Sequence, residues 1–236
     1  EFTLDLRRTA RLAVRLNYTM SDARGTNSES RSSAVATSDE LKSRFPLFIN
    51  PQRYNEAHRG SLLLDYRFAK DDGGIILGGM DLNFLLTFNS GHNYTKVAEP
   101  LNLGQASAWN IGVNSLRDRR FSNPTEPVNT SVTPALFNLD MGWSKNFFFK
   151  DFNLVLYVNV LNVLNSQQEI NVYPTTGTAE DDGWLKSPFA TLYKNIPNYE
   201  AFYKAINLQN RAGIIRYYGD VYGQPRQIRV GVRLEY

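Results

Sequence analysis

Cysteine is absent from the 236 residues. That removes disulfide scaffolds and thiolate metal sites, and says little about compartment. Histidine is almost absent: His58 and His92 stand alone, with no ligand spacing to a second His or a Cys, so no metal centre is expected and both read as structural or solvated. No apolar run approaches the roughly 18 residues of a spanning helix, and no N-terminal signal segment is visible. The net charge of +3 is small, and its lysines and arginines are scattered, so nucleic acid is not an expected partner. GxSxG and P-loop motifs are missing. Asp65, Asp81 and Asp140 fall on one polar face but on different strands, which does not place a hydrolytic carboxylate pair. Glu180–Gly183 (EDDG) lacks the spaced ligands of a calcium loop and reads as an acidic turn. The chain is therefore read as a non-enzyme without a cofactor.

What is present is strict two-residue alternation, the mark of strands with one apolar face. Phe2, Leu4 and Leu6 form the first row; Leu12, Val14, Leu16 and Tyr18 the second; Leu62, Leu64, Tyr66 and Phe68 the third. Met80, Leu82, Phe84, Leu86 and Phe88 follow, then Phe137, Leu139, Met141 and Trp143, then Phe152, Leu154, Leu156, Val158 and Val160. The last row is Ile228, Val230, Val232, Leu234 and Tyr236, interleaved with Arg229, Gly231, Arg233 and Glu235. About seven antiparallel strands are expected.

Their connections alternate in length. RRTA, AKDDGG and FFKD are short, whereas the stretches near 19–59, 90–134 and 166–225 run to tens of residues. Loops beyond about 15 residues are uncommon in compact soluble domains. Long loops on alternate joints all fall at one end, as in outer-membrane barrels with short periplasmic turns and long extracellular loops. Such barrels hide their apolar residues by alternation and escape hydropathy scans. On this reading the apolar rows meet lipid and the arginines face an enclosed interior. Strand parity puts Glu1 on the extracellular side and Tyr236 on the periplasmic side, and leaves a sheet edge at each end. Because open edges are not tolerated in hydrocarbon, the first strand is expected to continue a sheet begun by other residues or another chain.

Within the last loop, Tyr199, Phe202, Tyr203 and Ile206 sit at helical spacing, with Asn198 as N-cap and Gly213 as stop. This predicts one short amphipathic helix. Trp184, Tyr199, Phe202 and Tyr203 are the candidate ligand-binding aromatics; the competing reading is that they pack the loop on itself.

The stretches LNYTMSDARGTNS, RGSLLLDYRF, LLTFNSGHNYT, LYVNVLNVLN, VYPTTGTAEDDGWLKSP and YGQPRQIRVGVRLEY together resemble the C-terminal part of the β-barrel of TonB-dependent outer-membrane receptors. The most similar group is the Oar-like one, which carries a carboxypeptidase-regulatory-like domain. NVLNVLN before a terminal strand ending on an aromatic is the most specific combination. The resemblance implies that residues 1–236 are one segment of a barrel of 22 strands. It also implies a plug and a TonB-box supplied elsewhere, and import of an iron chelate, glycan or peptide across the outer membrane. By position it gives Tyr236 the role of a signal to the barrel-assembly machinery. Two other classes stay open: a non-transporting barrel acting as scaffold or adhesin, and a soluble all-β binding module.

Overall fold

A computed structural model of the chain describes residues 1–7, 9–26, 48–98, 124–181, 183–187, 190–191, 193, 195–205 and 222–236. Its strands, in chain order, are β1 (Phe2–Leu6), β2 (Leu12–Met20), β3 (Arg24–Gly25), β4 (Asn50–Pro51), β5 (His58–Arg67), β6 (Met80–Asn89), β7 (Asn93–Tyr94), β8 (Ser131–Val132), β9 (Leu136–Phe148), β10 (Asn153–Leu161) and β11 (Gln227–Glu235). Seven of them make one sheet in the order β1-β2-β5-β6-β9-β10-β11, every pair antiparallel. The sheet is a meander: each strand lies beside the next long strand in the chain. The other four pair as two small ribbons, β3–β4 and β7–β8, inside the first two long connections.

Register carries the alternation across the whole sheet. Leu4 lies opposite Leu16, Leu16 opposite Leu62, Leu62 opposite Leu86 and Leu86 opposite Leu139. Leu82 meets Trp143, Trp143 meets Val158 and Val158 meets Val230. A one-residue slip at any pair would move a full apolar row to the other face, so the hydrophobic pattern itself selects this register.

The opposite face is paired by charge and hydrogen bond. Asp5 meets Arg15 at 3.0 Å, and Arg67 meets Asp81 at 2.6 Å. Asn17 accepts from Thr3 and donates to Ser61. This face is less uniformly polar than the alternation suggests. Leu63 and Leu85 lie opposite each other on it, beside Arg15 and Asp140.

No second layer covers the apolar face among the described residues; the only sustained contacts between elements are those of hydrogen-bonded neighbour strands. The face is half-buried at the middle of the sheet and open at its edges, where Val230 is 75% exposed and Phe2 55%. Among the described residues, β1 and β11 each pair on one side only. The sheet is thus open as described.

Two differences from the sequence reading concern the joints. Residues 68–79 hold a one-turn helix, α1 (Gly74–Leu77), where a plain turn is expected. The helix of the last loop, α2 (Tyr199–Tyr203), is only five residues long. Asn198 stands at its N-cap position but at φ 60°, and its side chain makes no cap bond. Its carbonyl accepts from Phe202 N–H at 3.0 Å instead. Ile206 and Gly213 lie outside the described residues.

Candidate functional site

The three long connections, 21–57, 90–135 and 162–226, leave the sheet at one end, and a chain of buried asparagines ties the first two together. The Asn55 amide donates to Asn93 Oδ1 at 3.1 Å while its own oxygen accepts Ala23 N–H. Asn93 donates to the Asn129 carbonyl, and Asn129 donates to the Pro51 carbonyl at 2.8 Å. Asparagine suits these joints for two reasons. It offers donors and an acceptor on a short stem, and it tolerates the left-handed backbone that Asn129 adopts at φ 56°. All three are less than a tenth exposed, so each amide replaces water that the loops have displaced.

Glu126 organises the β7–β8 ribbon. Burial works to raise its carboxyl, but hydrogen bonds from Lys96 N–H and from the Ser131 hydroxyl and N–H outweigh this and hold it below the usual carboxylate range. His92, at the mouth of the same loop, receives the opposite treatment for a base. Burial and the nearby Arg53 both push its imidazole below the ordinary histidine value. The Thr133 hydroxyl accepts its backbone N–H at 3.0 Å. His58 instead bonds Tyr18 Oη through Nδ1 at 2.8 Å, with the two rings stacked.

NVLNVLN is a strand-exit device. β10 ends at Leu161, and Asn162 turns left-handed at φ 53°. Its N–H donates to Asp140 Oδ1 at 2.8 Å. Its amide donates to the Ser166 and Gln224 carbonyls and accepts Ser166 N–H. One buried side chain thereby joins the end of β10, the loop that follows, and the segment entering β11.

Among the described residues, two concavities open at this end. The first, of about 420 Å³, lies mainly on the polar face and is lined by amides and hydroxyls, among them Asn17, Ser61, Thr87, Asn138 and Gln168, with Arg59 as its one charge. The second, of about 670 Å³, lies within the last loop between Asp181, Lys186, Tyr199, Glu200, Tyr203 and Lys204. Here the acidic turn is tied up. Burial opposes the Asp181 charge, but Lys186 at 2.6 Å and the Gly183 N–H more than compensate and keep its carboxyl low. Lys204 pairs with Glu200 at 2.6 Å.

Among the four candidate aromatics, Tyr199 and Tyr203 are 5% and 2% exposed and form a small loop core with Ala190. Tyr193 stacks on Tyr199 at 5.6 Å between ring centroids. Both buried tyrosines also border the second concavity. Phe202 faces outward at 44% exposure. Trp184 opens a single 3₁₀ turn, Trp184–Lys186. Tyr236, past the end of β11, is fully exposed. Sequence reasoning missed the asparagine chain. Its only signal there is the density of Asn beside loop boundaries, because the partners lie 32 to 78 positions apart.

Among the described residues, no group of three or more His, Cys, Asp or Glu is placed to hold a metal ion, and no helix is long and apolar enough to cross a membrane. Comparison with family models, with curated proteins and with solved structures finds no match to this chain.

Proposed function

We propose that the chain forms seven neighbouring strands of the barrel of a TonB-dependent outer-membrane receptor, whose intact form imports a large, scarce ligand such as an iron chelate, glycan or peptide. The observation that carries the reading is the continuous apolar face, matched residue for residue across seven antiparallel strands and left without a second layer among the described residues. In water such a face must be buried against another element; in a bilayer, lipid does that work. Six of the seven strands have 9 to 13 residues. A tilted strand needs about 9–11 to cross hydrocarbon. The asparagine-tied loops and the two concavities then form the extracellular mouth, and the charged face looks into the lumen. Lipid, the rest of the barrel, a plug, the TonB system and the assembly machinery are the partners this reading requires.

The test is physical. Cells expressing the protein with its native upstream coding region are fractionated, and the membranes are washed with carbonate. The reading expects retention in the outer membrane and a gel mobility that changes on boiling. Release into the wash as a folded soluble protein would refute it. Cross-linking between the lumenal face and a plug, with uptake lost on removing the proton-motive force, separates an importer from a scaffold whose lumen stays sealed.

A further inference from the structure

Lys145 breaks the rule of the apolar face. Its register places it in the apolar row, opposite Met80 on one side and Leu156 on the other. It is nonetheless only 7% exposed, because α1 lies over it. Its ammonium donates to the carbonyls of Ile75 and Ile76, each at 2.9 Å, and to that of Gly78. Three donors thus meet three acceptors, all of them carbonyls at the C-terminal end of α1 that lack helical partners. The Phe147 ring adds a cation–π contact at 5.7 Å. A buried ammonium is tolerated only when satisfied in this way. The lysine therefore latches α1 onto the apolar side of the sheet.

What α1 presents there is apolar. Ile75 and Ile76 are 95% and 82% exposed and stand side by side at the tip of the connection. Phe147, Phe148, Phe149 and Phe152 cluster at the same end of the sheet, Phe149 stacked on Phe152 at 4.6 Å. A turn bound for water has no reason to hold two isoleucines out in an ordered, latched helix. The isoleucines continue the apolar face past the strand ends, on its own side.

We propose that α1 is a lysine-latched foot, seating Ile75 and Ile76 in the headgroup–acyl boundary of the bilayer. The occupant is lipid. The inference rests on the membrane reading of the sheet and extends it to a joint that the alternation pattern does not reach. Seating depth would be about 5–10 Å, as for other interfacial apolar side chains.

Residues 1–236 hold no cysteine, so once any cysteine elsewhere in the intact protein is replaced by serine, single introduced thiols can carry a nitroxide label in the membrane-reconstituted protein. Three sites are compared: Ile75→Cys, Leu82→Cys on the apolar face, and Asp71→Cys at the start of the same connection. The expected result is that the label at 75 collides with oxygen severalfold more often, relative to a water-soluble nickel chelate, than the label at 71, and less often than the label at 82. Adding Lys145→Met should free the turn and raise nickel access at 75 severalfold while the label at 82 keeps its lipid signature. A label at 75 as water-exposed as that at 71, with 82 lipid-exposed, overturns the foot and leaves the membrane reading standing. Shielding of 75 from both reagents means a protein contact and also overturns it. A water-exposed label at 82 refutes the membrane reading, and the foot falls with it.

Discussion

Tyr157 on β10 lies across Gly231 on β11, directly opposite in register, and a Cβ added to the glycine would sit 2.3 Å from the ring. The missing side chain makes room for the phenol to lie flat over the polar face. Gly231→Ala should push the ring aside, and because the contact is with the far end of a side chain that is itself exposed, the cost should stay below about 1 kcal/mol. Adding Tyr157→Ala should recover part of the loss. Urea midpoints of the single and double variants, compared as a cycle, check the coupling.

Asn162→Ala should be among the most damaging single changes at the loop-bearing end. It strips a 4%-exposed amide from Ser166 and Gln224 and leaves their groups unsatisfied, at about 1–3 kcal/mol. It also removes a residue type that tolerates φ 53°. Asn162→Gly relieves only the backbone part and should be intermediate. Limited proteolysis of the last loop, alongside denaturant unfolding, reads both effects.

Sidedness is testable on one strand. Val230 and Arg229 are neighbours on opposite faces of β11. In vesicles, Val230→Arg should cost about 2–4 kcal/mol near the bilayer midplane. Arg229→Leu should cost far less. Equal penalties for the two would mean that the faces do not differ in environment.

His92 makes the β6–β7 loop sensitive to acid. Its folded-state value lies below the unfolded one, through burial and then Arg53. Neutral imidazole is therefore favoured in the fold, and the unfolded chain takes up the proton first. Stability is full above the ordinary histidine value near about 6.5, and declines as pH falls through it until the folded value is passed. The protection factors of the Asn93 and Thr133 amides, which allow for the slower intrinsic exchange in acid, should fall between neutral pH and pH about 5, and His92→Asn should flatten that dependence.

The seven long strands and their apolar faces were legible in the residue order because each depends on a local period, whereas the four two-residue strands and the pairing register were not. Leu62 and Leu86 stand opposite because both belong to apolar rows, and short joints allow only neighbour pairing. The loops were not legible for the complementary reason. The Asn129-to-Pro51 bond joins residues 78 positions apart, and nothing local in either marks the other. Tyr199 and Tyr203 illustrate the middle case: helical spacing located the turn, but only packing against Ala190 decided that the two rings point inward.

Two-residue alternation, then, was sufficient by itself to determine the seven long strands and which face of each is apolar, since the pleat enforces that period on any strand; their order was decided in the folded sheet. Only the folded arrangement decided what Lys145 does. A cation in an apolar row reads as an error until the carbonyls of Ile75, Ile76 and Gly78 arrive from another turn to receive it. Those acceptors come from backbone, which carries no side-chain signature, so their convergence exists only in three dimensions.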